Sequence, residues 1–536
     1  MNPIHDLSNT IIPAAPDLSI KKLCITGQYF ATGSATSGVR IDNPKESELA
    51  GLLGQGSLLY KVCKNLYDAT KGNQPFSIIP LADPISGIAA TATQNLGGTA
   101  TKNGILVLEV GHLLVRHSFV TGDTGNAILV AIKALIDADN DFLATCSNVT
   151  GTAPAGIITL TFVHKGEVGN GTKVTMSITN SEGYFDNCGL TYTSVVRLSG
   201  GTGVSVANTL LAETDSLSAD VYLDGAILKD STFALEILED YKNNFGVKAG
   251  LIKTKALFFA VDDKVAWDNR IDGNEIYSSP YLNAIYAVKN FTGNDQYRAT
   301  LAQGSNYYLE AFNVFLMRAC VLNPRVQING TITNDTVITN GNIRNAPRSF
   351  MGWKIPYASK NTGLFKARYS NQSYSQEQIK QFSLGKITVA GQNENGDYVL
   401  LTDFLTTAKS DMPLLRYSGA IDIIRFLNVS IDDMIKRNYS NKSLDITTTP
   451  TMVAADIKQI VNNFANKQII NSVEYPALLR NEQLQTMLSS VNARATQNNT
   501  TQAPDTIVYA LNIATSSPLN YINGLIAIAG GVNGLI

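Results

Sequence analysis

Charge is scarce in this sequence. Asp, Glu, Lys and Arg make up 16% of its 536 residues, and 42 basic against 44 acidic side chains leave a formal charge of −2. That balance provides no electrostatic footprint for nucleic acid or an anionic membrane, so the expected partners are protein surfaces, with no direct nucleic-acid contact. Histidine is scarcer still: His5, His112, His117 and His164 are the only four. None follows residue 164, so a domain built from the later chain cannot hold a Ser-His-Asp triad of its own. The five cysteines, Cys24, Cys63, Cys146, Cys188 and Cys320, are odd in number and widely spaced, with no CxxC pair. This is the usage of reduced thiols in a chain assembled in a cytoplasm, not of a disulfide frame or a zinc site. No run reaches the roughly 18 apolar residues of a spanning helix. Residues 311–322 come nearest and are broken by Arg318, so no membrane insertion is expected. The first 22 residues have no basic region followed by an apolar run, which predicts no export by a signal peptide.

The patterns that would carry chemistry are incomplete. GLLGQGS at 51–57 has phosphate-loop glycines but no following GK[ST], so it reads as a helix start capped by Ser57. Asp137, Asp139 and Asp141 imitate the opening of a calcium loop, yet Phe142 replaces the glycine at its sixth position and Asn148 the glutamate at its twelfth. They read as a solvated helix end. His112 and His117 fall on opposite faces of a regular strand. His117 and His164 lie on apolar faces and read as a packed, hydrogen-bonded histidine pair rather than a site. Asp262-Asp263 and Asp432-Asp433 are sequence neighbours that diverge in direction, which is poor for acid/base work. No catalytic residue, metal ligand or cofactor is assigned.

The most readable stretch is 97–170. Residues 105–110 and 113–120 are apolar and branched around Gly111-His112, a hairpin with glycine first in a type II′ turn. In the next segment Ile128, Ile132, Leu135 and Ile136 form one helical stripe, with Thr124 or Asp123 as cap. Alternation over 156–162 and a glycine turn into 173–178 add two strands, giving β-β-α-β-β with the helix over one sheet face. Upstream, Leu58, Val62 and Leu66 mark a helix and 76–81 a buried strand. Downstream, Gly200-Gly201 reads as a hinge. Residues 231–245 and 306–322 read as helices, 255–263, 386–390 and 398–401 as strands, 422–437 and 453–469 as helices. Residues 491–504 read as a polar loop, and 506–513 and 521–529 as strands, the first with a clean period of two.

GTAT at 98–101 before a strand pair, GDT at 122–124 opening a helix, and HKG at 164–166 with GN at 169–170 occur in the order found in contractile phage tail sheath proteins of the Mu-like family. The glycine-rich helix start at 51–57, the NPRVQINGT run at 323–331 and the region from 374 also resemble that family. Asn323 stands where the family more often has aspartate.

The resemblance implies a mixed α/β and α+β multidomain chain. Its parts would be an N-terminal extended arm (1–26), the start of the core domain (27–90), an inserted outward-facing β-rich module (91–203) and a central α/β domain (204–370). A tube-facing C-terminal domain (371–503) and C-terminal strands forming an arm (504–536) would complete it. It implies a non-enzymatic subunit of a contractile tail sheath, stacked as hexameric rings around a tail tube, in contact with baseplate and tail terminator proteins. The subunit would be assembled in the host cytoplasm and located in the virion. Neighbours would join through added strands, for which the candidates are Leu18, Ile20, Leu23, Ile25, Ile507, Val508, Tyr509, Leu511, Ile513, Ile522, Leu525, Ile526 and Ile528. For 506–513 and 521–529 a hairpin on their own domain is the alternative. Lys436, Arg437 and Lys442 are the candidate tube contacts. A secreted β-rich surface or adhesin-like protein is the alternative function, and a hydrolase on the central domain the third.

Overall fold

The computed structural model describes residues 22–111, 113–205, 219–223, 257–261, 282–286, 351–353, 388–392 and 398–402, several helical positions between 423 and 439, and 448–470, 473–475, 477–496 and 506–511. Strands β1 (Lys22–Gln28), β2 (Ile41–Asp42) and β3 (Phe76–Leu81) open it, with helices α1 (Leu49–Leu53) and α2 (Leu58–Thr70) between β2 and β3. Ser57 caps α2, its hydroxyl accepting the Tyr60 N–H at 3.2 Å, and Leu58, Val62 and Leu66 are buried. The glycines before it therefore start a helix, as their sequence context predicts.

The inserted module follows with β4 (Ala89–Gly97), β5 (Gly104–Val110), β6 (Leu113–Phe119), α3 (Gly125–Ala138), β7 (Ala144–Cys146), β8 (Gly156–Lys165), β9 (Lys173–Asn180), β10 (Thr191–Tyr192) and β11 (Val195–Arg197). β5 and β6 form the predicted hairpin, with Gly111 at φ 63° in its turn, where a glycine carries no steric penalty. Thr124, not Asp123, caps α3 through the Ala127 N–H; the Asp123 carboxylate accepts Val120 N–H instead. The buried stripe of α3 is Ile128, Leu129, Ile132 and Ile136, while Leu135 is 40% exposed.

The module differs from the expected single sheet. Its strands form two four-stranded sheets, ordered β10-β4-β8-β7 and β11-β9-β5-β6, and α3 touches strands of both. The reason is β4, an alternating strand that pairs with β8 and takes it from the first hairpin, while β9 pairs with β5. Each sheet buries one face: Leu106, Leu108, Val110, Val174, Met176 and Ile178 from one, Leu96, Ile158, Leu160 and Phe162 from the other. Every second side chain is thus core, which fixes the register, because a one-residue slip would expose the whole set.

Beyond the module come β12 (Ala219–Leu223), β13 (Leu257–Val261), β14 (Leu282–Tyr286), β15 (Thr388–Gln392) and β16 (Tyr398–Thr402). They complete an eight-stranded sheet, β16-β15-β14-β13-β12-β1-β3-β2. Six neighbours, from β15 to β3, run parallel, and β16 and β2 close the edges antiparallel. This places β1 between β3 and β12, with Leu23 and Ile25 fully buried. The boundaries expected at 26/27 and 370/371 therefore divide strands of one sheet.

The C-terminal part contains α4 (Thr448–Ala465), β17 (Gln468–Ile470), β18 (Val473–Tyr475), α5 (Leu484–Ser490), β19 (Asn492–Thr496) and β20 (Thr506–Ala510). Ile423, Leu427 and Ile431, helical and buried, share a core cluster with Val453, Ile457 and Val461 of α4. Residues 492–496 were expected as loop because they are polar, but they are a strand, paired along their length with β20. The helices expected at 231–245 and 306–322, the run 323–331 and the strand expected at 521–529 lie outside the described residues.

The chain enters and leaves the module through two antiparallel bridges: Ile88 and Thr202 exchange both backbone hydrogen bonds at 3.0 Å, and Thr91 and Ser199 exchange theirs at 2.8 and 2.9 Å. Of the two glycines expected to hinge there, Gly201 is clamped, while Gly200, at φ 79°, has open space where a Cβ would lie. The Asn170 amide donates to Gly201 O at 2.8 Å and its carbonyl accepts Gly201 N–H at 2.7 Å. A Cβ on Gly201 would lie 2.4 Å from the Gly166 carbonyl oxygen. Asn170→Ala, which strands both Gly201 groups, is expected to destabilise the neck by about 2–3 kcal/mol. Thermal melting with limited proteolysis near residue 200 checks this: a lower midpoint and new cleavage in Asn170→Ala, and an intermediate effect in Asn170→Asp, which keeps only the acceptor.

Candidate functional site

In chain order the parallel strands lie second-first-third across the sheet, with the order reversing between β1 and β12. Open α/β sheets bind ligands outside the carboxyl ends of strands at such a reversal. Here the module's own backbone is packed against the carboxyl ends of β1 and β3. Residues Lys165 to Val168 and Gly203 to Ser205 line, with Gly27, Gln28 and Leu81, a residual cavity of about 10 Å³, room for about one water.

A hydrogen-bonded junction holds the module there. His164, at the end of β8 and 0% exposed, lies stacked on Phe30 with ring centroids 4.7 Å apart. Its Nε2 accepts the Leu58 N–H at the start of α2, 3.1 Å away. That acceptor role leaves the ring neutral with its proton on Nδ1, which donates to Asp83 Oδ1 at 2.7 Å. Asp83 Oδ2 accepts Lys165 N–H at 3.0 Å, and the Gln28 amide donates to both Asp83 Oδ1 and Lys165 O at 2.9 Å. Burial pushes the Asp83 carboxyl up, but these bonds, led by that of His164, outweigh it and hold the group below its ordinary value.

A histidine between an aspartate and a serine-bearing turn invites a catalytic reading, which the geometry argues against. The Nε2 lone pair is occupied by Leu58 N–H, and the fully buried Ser57 hydroxyl caps α2. A general base needs that nitrogen within reach of the proton it removes. His164 is thus the packed, hydrogen-bonded histidine expected, but its partners are Asp83 and Leu58 rather than His117, which is half-buried on β6 in the other sheet. His112 lies outside the described residues. Asp83 and Gln28 were not singled out in the sequence, because nothing local connects positions 81 and 137 residues from their partners.

The acids at 137–141 behave as a helix end and turn: Asp137 pairs with Lys133, and Asp139 Oδ1 accepts Asp141 N–H at 2.9 Å. Among the described residues no group of three or more His, Cys, Asp or Glu is placed to hold a metal ion, and no helix is long and apolar enough to cross a membrane. Cys63 is fully buried, and burial drives its thiol far above the ordinary range, so it is no activated nucleophile. Cys24, Cys146 and Cys188 are also unpaired by disulfides, and Cys320 lies outside the described residues.

The candidate strand residues fall into three sets. Leu23 and Ile25 must be withdrawn as intersubunit positions, since both edges of their strand are already paired within the chain. The arm that the resemblance implied here is instead a central parallel strand, with Leu23 and Ile25 fully buried. Ile507, Val508 and Tyr509 lie in β20, paired to Ala495, Arg494 and Ala493 on one side. Among the described residues no strand covers the other side. Leu511 is half-buried against the core just after that strand. Leu18, Ile20, Ile513, Ile522, Leu525, Ile526 and Ile528 lie outside the described residues, as do Lys436 and Lys442. Arg437 is an exposed helical residue.

No family profile matches the chain. A curated relative, the Mu-like prophage FluMu tail sheath protein of Haemophilus influenzae, is 28% identical over 204 residues, 38% of this chain and 41% of the relative. The match thus covers less than half the length of that relative. The resemblance to Mu-like tail sheath proteins read from the sequence is met by it. Among solved structures, the sheath tail protein of Desulfitobacterium hafniense aligns over 94% of this chain and 98% of its own at 10% identity and a TM-score of 0.39. The contracted helical sheath of the anti-feeding prophage aligns over 96% and 94% at 10% identity and a TM-score of 0.38.

The depressed Asp83 carboxyl makes the junction acid-sensitive. A carboxylate with a lowered folded pKa contributes stability that is fully present above its ordinary value of 3.8 and is lost as pH falls through the lower folded value. Urea unfolding followed between pH 6 and pH 3 is expected to show the module loosening below about pH 4. Asp83→Asn should remove about 1–2 kcal/mol at pH 6 and flatten the acid limb; an unaltered limb in that variant would place the acid sensitivity elsewhere.

Proposed function

We propose that this chain is a structural subunit of a contractile tail sheath, assembling with copies of itself around a tail tube and carrying no catalytic step. The observation that carries the reading is the 28% identity over 204 residues to the FluMu tail sheath protein. The near-neutral, charge-poor composition suits a protein whose partners are protein surfaces. The packing of the module against the carboxyl ends of β1 and β3 suits a scaffold.

In this reading the subunits form stacked hexameric rings, with the module of about residues 91–203 outward and the C-terminal domain of about 371–503 towards the tube. Arg437, with Lys436 and Lys442, contacts the tube. Baseplate and terminator proteins bound the sheath, which is assembled in the host cytoplasm and carried in the virion. The subunits are linked by strand addition, in which backbone hydrogen bonds supply affinity without special side chains. The side of β20 away from β19 is the receiving edge, and residues before β1 and from 511 onward supply the arms. Contraction then draws on new interface area, on the order of a few kcal/mol per subunit, and needs no nucleotide.

Negative-stain electron microscopy of the purified chain at rising concentration tests the assembly, with hollow tubes of sixfold rings as the expected result. If only single particles form, co-expression with a tail-tube protein should yield them; failure of both would overturn the reading. Deleting residues 521–536 is expected to leave a folded, soluble subunit that forms no tubes, and persistent tubes would remove the C-terminal arm from the account.

A further inference from the structure

The module touches α2 at a second place, one turn beyond the His164 junction, and the contact there is incomplete. The turn between α3 and β7 lies against the start of α2 so closely that a Cβ on Gly56 would sit 2.0 Å from the Asn140 carbonyl oxygen. Lys61, on the second turn of α2, is only 5% exposed. Its Nζ is buried with no hydrogen-bond partner, and so is Oδ1 of Asp141, from the facing turn. An ammonium group carries three donors and no acceptor. Its burial without partners is among the costlier arrangements in a protein interior.

We propose that Lys61 and Asp141 form a proton-operated catch between the inserted module and α2. With the amine neutral the catch is closed and the α3–β7 turn lies on the helix. With the amine charged the closed form is under load, because the buried ammonium lacks the hydrogen bonds that water supplies once the turn lifts away. The junction at His164 and the bridge at Ile88 and Thr202 keep the module attached on its other side, so the motion is a local opening rather than release.

The charged groups around Lys61 agree with this. Asp141 and Asp139 of the turn both favour the ammonium, but burial outweighs them and lowers the lysine from its ordinary 10.5 to about 8. Asp141 also acts on Tyr60, which neighbours Lys61. On α2 itself Lys64 is engaged by Glu46 and Asp68. Of the other elements against α2, α1 and β1 bring no described charged side chain, only the Cys24 thiol, while β8 brings His164, whose Nε2 accepts the Leu58 N–H, and β3 brings Phe76, which meets the Tyr67 ring. A lysine depressed in the closed form binds more protons in the open form between these two values, so closure tightens as pH rises through that interval.

Hydrogen exchange of the full-length chain at pH 7 and pH 9, corrected for intrinsic rates, tests the catch at the amides of 57–63 and 139–143. Protection there is expected to rise about tenfold from pH 7 to pH 9, as follows from a lysine near 8 when closed and 10.5 when open. Lys61→Met should abolish the rise and be at least as protected at pH 7 as the native chain at pH 9. No rise in the native chain, or the same rise in Lys61→Met, would overturn the proposal. If that variant does not fold, Asp141→Asn decides. It removes the acid supporting the ammonium, so protection at pH 7 should fall and the rise to pH 9 should exceed tenfold; an unchanged profile overturns the catch. The readout does not depend on tube formation and so stands apart from the sheath assignment.

Discussion

A buried imidazole with both nitrogens occupied is the interaction on which this architecture depends. His164 joins the last residues of a module strand to the start of α2 on one side and to Asp83, beyond β3, on the other. Each partner belongs to a different part of the chain, so the bond set forms only when the module has folded and docked. Groups of this kind are costly when half-satisfied and specific when complete. Here the set is complete, and it fixes the module against the carboxyl ends of the central sheet. That position is where an α/β fold would otherwise hold a ligand. The same stretch that attaches the module therefore covers the carboxyl ends of β1 and β3.

Mechanical consequences follow from how the module is tied. Two chain crossings are linked by two antiparallel bridges, and Gly201 beside them is held by Asn170 rather than left free. Small residues at a chain crossing often mark a swivel, but here Gly201 lets backbones approach too closely for any side chain. The two sheets and the helix bury side chains that share one core cluster with Leu23, Leu58 and Phe76 outside the module, so the module is a unit packed continuously onto the rest of the described core. The less satisfied contact at Lys61 is where such a unit can give without detaching. In a subunit that changes its neighbours, a stiff body with one yielding contact is a useful combination.

Local elements were largely legible in the sequence. Periodicity located α2, α3 and the hairpin of β5 and β6, and capping chemistry chose Ser57 and offered Thr124. Pairing was not legible, because it is decided by long-range competition. β4 diverts β8 from the first hairpin, and β19 becomes a strand despite its polar residues because β20 is there to pair with it. Leu23 and Ile25 mark the same limit: an apolar alternation near a terminus fits an arm or a central strand equally well, and only the partners on both sides decide. The junction was half visible. His164 stood out as a packed histidine, but Asp83 and Gln28 lie far from it in sequence and carry no pattern. The lysine at 61 occupies an ordinary helical position and gives no signal until the module is docked over it.

In the proposed sheath, subunits join through backbone edges rather than through a chemical site. A helical reconstruction of the assembled protein at a resolution that traces strands tests it most directly. That reading predicts a strand from another copy on the side of β20 away from β19, with the His164 junction intact in every subunit. A tube in which that edge faces solvent, or subunits that pair only through side-chain surfaces, would contradict it.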